Sequence, residues 1–401
     1  MRKELNIKIK NKYNNLYKEK KYPLILKNAV DNLWLLEEEG SIINILDSED
    51  NFIGRGYYGI QNKGIGWMLT YKEQEKIDGK FFQKKLITAL NKRKDFYYKD
   101  ETTCFRIFNS VGDGIGGLTI DYYDDYYLFN WYSEGIYSFK DEIYDNFKNL
   151  VYLKGIYQKK RFDDKGKYIE DDDFVMGERG NFPIVVKENN VNIAVDLNDG
   201  PMVGFFLDQR ESRKALKDEY SKDKDILNTF SYTGIYSVFG ALGGAKSTVS
   251  VDLANRSLEK TKEQFKINGM NLEDNTIVVE DIFEYFTFAQ KKELNYDMII
   301  LDPPSFAKSK NYIFKADKNY EDLISKSIRI LREKGLILAS TNLEKMDMDK
   351  FISQIKEGVR KEGKKFKILE TFSQPEDFKV KETYPEGNYL KVVLIEIFSW
   401  S

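Results

Sequence analysis

From about Asn181 to the C-terminus, short runs of branched apolar residues alternate with segments of helical periodicity, the pattern of a parallel α/β sheet. Asp225–Thr229, Ser247–Val251, Ile277–Val279, Met298–Leu301 and Leu336–Ala339 read as strands. Ile235–Leu242, stopped by Gly243-Gly244, and Ser257–Ile267 read as helices. Phe366–Thr371 and Tyr389–Ile397 leave no room for a long helix between them, so they are expected to pair antiparallel. Open sheets of this kind bind ligands beyond the C-terminal ends of their strands. The residues that follow each strand are therefore the first candidates for a site.

The most informative strand end is Y-D-M-I-I-L-D-P-P-S-F, Tyr296 to Phe306. Pro303 and Pro304 cannot donate to a sheet ladder, so the strand stops at Asp302. A carboxylate acceptor followed by two rigid residues and the ring of Phe306 suits a planar, amine-bearing substrate such as a nucleobase. Three further junctions precede it. Leu227 to Gly234 (L-N-T-F-S-Y-T-G) runs from a strand through a tight turn into a helix, Asp252 ends V-S-V-D eighteen residues after Gly234, and Glu280-Asp281 ends I-V-V-E-D. An acid about 20 residues past the first turn is placed for ribose hydroxyls, and one on the next strand for an adenine amine. A dinucleotide fold needs glycines where Phe230 and Tyr232 stand, so a pyrophosphate would be badly served. S-adenosyl-L-methionine has none, and it is the expected cofactor. Taken singly, each piece has a structural reading: Asp252 as a helix cap, Asp302-Pro303-Pro304 as a turn.

Composition narrows the chemistry. The chain has 401 residues, no histidine and one cysteine, Cys104. Triads built on histidine are impossible, and no thiolate zinc cluster or internal disulfide can form. No metal is expected. The Glu170 to Asp173 run (E-D-D-D) reads as a solvated linker rather than a metal site. No apolar stretch approaches the roughly 18 residues of a membrane span, and residues 1 to 10 lack a signal-peptide core. A cytoplasmic protein is expected. Residues 1 to 28 hold nine Lys or Arg against Glu4 and Glu19, a basic arm able to contact phosphates, or a solvated surface.

Upstream of Asn181 the texture differs. Short apolar bursts with glycine turns up to about residue 72 suggest a β-barrel-like module, Phe81, Phe82, Leu86 and Leu90 recur at helical spacing, and Phe105 to Tyr123 is a glycine-punctuated strand pair.

Asp199 to Arg213 (D-G-P-M-V-G-F-F-L-D-Q-R-E-S-R), L-N-T-F-S-Y-T-G, S-V-D-L, L-D-P-P-S-F-A-K-S-K (Leu301 to Lys310) and Y-P-E-G-N-Y-L-K (Tyr384 to Lys391) fall in order, and with F-I-G-R-G-Y-Y (Phe52 to Tyr58) they cover nearly the whole chain. On these motifs the chain resembles bacterial class I 23S rRNA methyltransferases with an N-terminal PUA domain. The resemblance implies an α/β fold with a PUA-like RNA-binding domain over residues 1–72, a small α+β middle domain over 73–178 and a Rossmann-like methyltransferase domain over 179–401. It implies S-adenosyl-L-methionine held by Asp252 (ribose), Asp281 (adenine), the turn Thr229, Phe230, Ser231, Tyr232 and Gly234 (methionine part), Asp302, and Gln209 and Arg210, the latter toward the methionine carboxylate. Asp302, Pro303, Pro304 and Phe306 would face a base of 23S rRNA, the expected partner; a homodimer is left open.

One departure bears on the product. Members that make 5-methylcytosine carry a cysteine after the fifth strand, where this chain reads A-S-T-N-L-E-K-M with Thr341-Asn342. Carbon 5 of cytosine needs thiolate addition at carbon 6. Some related guanine-N7 enzymes have asparagine in this region, so Asn342 joins the catalytic candidates. The target atom stays open, with two alternatives: cytosine-C5 methylation by another route, or a non-catalytic RNA-binding assembly factor.

Overall fold

Short apolar runs separated by turn residues build the first sheet. Strands β1 (Glu4–Lys8), β2 (Ile42–Leu46), β3 (Phe52–Tyr58) and β4 (Gly66–Thr70) pair in that order, β1 parallel to β2 and the others antiparallel. Ile7, Ile43, Ile45 and Ile53 point into one buried cluster. Helix α1 (Gly79–Asn91) is capped by Asp78, whose carboxylate accepts from Phe81 N at 3.1 Å, and it buries Phe81, Phe82 and Leu86. A second sheet, in the order β5-β6-β7-β8-β9, follows: β5 (Cys104–Asn109), β6 (Leu118–Tyr123), β7 (Tyr126–Trp131), β8 (Gly155–Lys160) and β9 (Phe174–Gly177), with α2 (Glu134–Tyr137) and α3 (Lys140–Phe147) between β7 and β8.

This computed structural model describes residues 2–61, 64–162, 168–308 and 312–399. By compactness the chain falls into two units, one of Met1–Val186, Asp196–Val203 and Glu376–Gly387, the other of Lys187–Val195, Gly204–Pro375 and Asn388–Ser401. Within the first, one hydrophobic cluster runs from Leu24, Tyr57 and Trp67 to Phe105, Phe129 and Trp131, so both sheets share a core.

Two charged segments have defined places in this unit. The basic segment is folded into β1 and the turns after it: Lys3, Lys8 and Lys18 pair with Glu37, Asp50 and Asp47, and Arg2 lies over the Phe139 ring and pairs with Glu142. The E-D-D-D run lies between β8 and β9 with Glu170, Asp171 and Asp172 exposed, as a solvated linker would be, and only Asp173 departs from that reading. Asp173 is fully buried against Lys159, while Asp171 and Asp172 pair with Lys160 and Arg179. Asp171, Asp172 and Asp173 each meet a cation from the neighbouring strand or loop, which spacing alone could not show.

Strands β10 (Ile184–Glu188) and β11 (Val191–Val195) form a two-stranded sheet. The second unit is then built on α4 (Arg210–Ala215), β12 (Asp225–Thr229), α5 (Ile235–Leu242), β13 (Ser247–Asp252), α6 (Arg256–Ile267), β14 (Asn275–Val279), α7 (Ile282–Lys291) and β15 (Tyr296–Leu301). It continues with β16 (Phe306–Lys308), β17 (Ile313–Lys315), α8 (Ala316–Ile328), β18 (Leu331–Thr341), α9 (Met348–Lys361), β19 (Lys365–Phe372) and β20 (Lys391–Phe398). The sheet order is β14-β13-β12-β15-β18-β20-β19, parallel through β18, with β20 antiparallel to both neighbours. Chain order reverses between β12 and β15, so the topological switch point lies at Thr229 and Leu301, which are register partners. Among the described residues no helix is long and apolar enough to cross a membrane, and no group of three potential ligands could hold a metal ion.

Candidate active site

Sheet register brings the strand-end residues together. Thr229 pairs with Val251 on one side and Leu301 on the other, and Asp252 pairs with Val279, so the turn at 230–234, Asp252, Asp281 and Asp302 all leave the same end of the sheet. The Thr229 hydroxyl donates to Ile300 O at 2.8 Å and ties the two switch-point strands.

The turn after β12 is bent in an unusual way. Phe230 and Tyr232 both have φ of 52°, and Gly234 has φ of 72°. The left-handed region costs a non-glycine residue about 1–2 kcal/mol, so the positions where a dinucleotide fold puts glycines keep that backbone with aromatic side chains. Three backbone donors hold it: Ser231 N to Val251 O at 3.0 Å, Tyr232 N to the Asp252 carboxylate at 2.8 Å, and Gly234 N to Ser231 O at 2.7 Å. The Tyr232 ring lies 5.8 Å from that of Phe206. Gly234 has a second requirement, because a Cβ there would sit 2.4 Å from the Thr261 methyl on α6.

The two acids beside the turn are fixed by backbone. Asp252 accepts from Tyr232 N through one oxygen and from Ala254 N, at 2.9 Å, through the other. It does not cap α6, whose N-cap is Asn255. Asp281 is the N-cap of α7: its Oδ1 accepts from Phe283 N at 2.8 Å and Glu284 N at 3.2 Å. Each carboxylate is thereby oriented and keeps further lone pairs for a ligand.

Asp302 is engaged differently from the free acceptor that its sequence suggests. Both its oxygens accept from Gln209 Nε2 at 3.0 Å, and Oδ1 also accepts from the Ser340 hydroxyl. Burial pushes its carboxyl above the ordinary range, against the pull of Ser340, Gln209 and the more distant Arg213 charge. Tyr320 donates to Ser340 O at 2.7 Å and to Leu301 O at 3.3 Å, bracing the ends of β15 and β18. Arg210 is also placed differently from expectation. It is buried, with Nε 3.8 Å from Glu188, while Arg213 holds the same carboxylate through two bonds of 2.7 and 2.9 Å.

Pro303 is buried and Pro304 exposed. Ser305 donates to Asn342 Oδ1 at 2.8 Å, linking the D-P-P-S segment to the end of β18. Thr341 is buried and Asn342 exposed, so Asn342 occupies the solvent side of the segment where a cysteine was sought. Cys104 is fully buried on β5, in the other unit. Phe306 is 56% exposed and begins a short antiparallel hairpin with β17. Ser309 and Lys310, the end of the motif, lie outside the described residues. Sequence reasoning missed Ser340 and Tyr320, although Ser340 stands inside the segment from Ala339 to Met346.

A model of S-adenosylmethionine-dependent methyltransferases matches residues 167–394, and one of PUA-like domains matches residues 7–71. The chain belongs to the S-adenosylmethionine-dependent methyltransferase family. Over 380 residues this methyltransferase is 51% identical to YwbD of Bacillus subtilis (strain 168), provisionally named a ribosomal RNA large subunit methyltransferase, covering 94% of this chain and 96% of that one. It is 33% identical to ribosomal RNA large subunit methyltransferase I of Alteromonas mediterranea, covering 94% and 95%. The crystal structure of SMU.776, provisionally a methyltransferase and complexed with SAH, superposes with a TM-score of 0.89 at 35% identity, covering 98% of this chain and all of that one. The cofactor of this methyltransferase is S-adenosylmethionine. The site chemistry fits it: oriented carboxylates stand at two neighbouring strand ends, and no glycine-rich cradle for a pyrophosphate is present.

Proposed function

We propose that the chain methylates a base of 23S ribosomal RNA, with a nitrogen as the acceptor atom. The observation that carries this is the end of β15 beside the end of β18: Asp302 to Phe306 with Asn342, and no thiol. The printed names of the relatives above, each spanned almost from end to end, support RNA as the substrate.

Asp252 holds the ribose of the cofactor and Asp281 its adenine amine, while Thr229, Phe230, Ser231, Tyr232 and Gly234 wall the methionine part. Gln209 acts through Asp302, and Arg210 lies near the methionine end while paired to Glu188. Bound here, S-adenosylmethionine supplies an electrophilic methyl group. A ring nitrogen or an exocyclic amine already carries the lone pair that attacks it, so positioning suffices and no covalent nucleophile is needed. The base is extruded and lies against the Phe306 ring. With the Asp302 carboxylate held by Gln209 and Ser340, the Asp302 carbonyl and Asn342 are the groups left to grip its edge. Residues 1–72 and 73–178 serve as PUA-like and middle RNA-recognition domains, and 179–401 as the methyltransferase domain. A ribosomal RNA substrate places the protein in the cytoplasm.

Mass spectrometry of 23S rRNA nucleosides from a deletion strain tests the reading. One N-methylated nucleoside should disappear and return when purified protein is added with cofactor. Loss of 5-methylcytosine would overturn the nitrogen assignment. An unchanged nucleoside profile, with no cofactor binding, would leave a non-catalytic assembly factor as the better account.

A further inference from the structure

The hairpin that follows Asp302-Pro303-Pro304-Ser305 has two unlike faces. Its register pairs Phe306 with Lys315, Ala307 with Phe314, and Lys308 with Ile313. Side chains opposite one another on antiparallel strands share a face, and successive ones alternate. Ala307 and Phe314 face inward, Phe314 fully buried in the core of the second unit. Phe306, Lys308, Ile313 and Lys315 therefore share the outer face. Phe306 is 56% and Ile313 51% exposed, both lysines are exposed, and neither ammonium has a carboxylate within ion-pair distance among the described residues. The base of the hairpin is fixed by Ala316 N donating to Ser305 O at 3.0 Å and by Lys315 N donating to Asn319 Oδ1 at 2.9 Å.

We infer that this outer face binds the single-stranded RNA flanking the target base: beside Phe306, which holds the target base, Ile313 contacts a flanking base, and Lys308 and Lys315 contact phosphates. The inference rests on the RNA reading above and extends it to a defined surface. Charge decides the occupant. Two unpaired cations interleaved with an aromatic and an aliphatic side chain suit a polyanion whose bases need apolar faces. Lysine is depleted in protein interfaces, and an apolar surface this small gives a membrane little to bury. Position agrees, because the hairpin begins one residue after Ser305, which is bonded to Asn342 at the acceptor site. An extruded base carries its neighbours with it, and they need a surface there.

The test uses the full-length protein and deproteinised 23S rRNA from the deletion strain. K308Q/K315Q should raise KM for RNA about tenfold at physiological salt and flatten the salt dependence of binding by about 1.4, the value for two single-strand phosphate contacts. Cofactor affinity, read by calorimetry, should stay unchanged, and K308R/K315R should restore RNA affinity. An unchanged KM and salt slope would overturn the inference, as would a defect that the arginine variant fails to repair. Failure of the RNA reading itself is distinguishable, because the unaltered protein would then leave this RNA unmethylated.

Discussion

Asp302 is half-buried against two neutral donors, Gln209 and Ser340, and no cation bonds to it among the described residues. Its folded-state pKa is raised, so the fold favours the protonated form. That contribution is fully present below the ordinary carboxylate range and is lost as pH rises through the raised value. At neutral pH the ionised group therefore weighs against stability. Asp302→Asn, nearly isosteric, should raise the melting temperature at pH 7 to 8, and the gain should vanish toward pH 3. A gain independent of pH would refute the burial argument. The same variant should lower kcat about a hundredfold through misplacement of the acceptor, a trade of activity for stability. Asp252→Ala should weaken cofactor binding about ten- to a hundredfold, the worth of losing hydrogen bonds to a charged acceptor. Unchanged affinity by calorimetry would remove Asp252 from the ribose role.

Among the elements, α7 joins stability to binding, because Asp281 is both its N-cap and the proposed adenine acceptor. The two roles separate by substitution. Asp281→Asn keeps a capping oxygen but loses the charge, so stability should hold while cofactor affinity falls. Asp281→Ala should lose both, with about 1 kcal/mol from the cap; equal melting temperatures for the two variants would show the cap to be inert. The strand ends were legible in the sequence because branched runs stop at acids, prolines or glycine turns: β12 and α5 occupy the residues that periodicity gave them. The β16–β17 hairpin was not legible. Strands of three residues are too short to display a period, and their pairing is a tertiary fact. The same limit hid Ser340, whose role appears only when β18 lies beside β15.

Across the whole molecule, the least legible feature is the return of Glu376–Gly387 to the first unit. The C-terminal signature at Tyr384 to Lys391 falls within the span expected for the methyltransferase domain, and Tyr384 packs edge-on against Trp67 at 5.4 Å. The anchor is Arg93, fully buried, which holds Asp113 through bonds of 2.8 and 2.7 Å and donates to Asp377 O at 2.6 Å. Asp377 in turn accepts from Arg106 N at 2.8 Å, and Arg106 lies 4.3 Å over the Phe378 ring. Nothing in the sequence pairs an arginine at 93 with a carbonyl at 377, since the two lie 284 residues apart. A fragment of residues 1–186 lacks these partners and leaves a buried guanidinium short of an acceptor, a loss of about 1–3 kcal/mol or more. It also uncovers the face under Phe378. The fragment should therefore melt at a lower temperature and with less cooperativity than the same unit in the full chain, followed by near-ultraviolet circular dichroism. Within the full chain, Asp173→Ala should cost about 3–5 kcal/mol in urea denaturation, because it strands the buried Lys159 ammonium. Replacing both partners, Lys159→Met with Asp173→Leu, should recover most of that loss. If fragment and full chain melt alike, the returning segment is passive; if they differ as expected, the first unit is completed only after most of the methyltransferase domain has been synthesised.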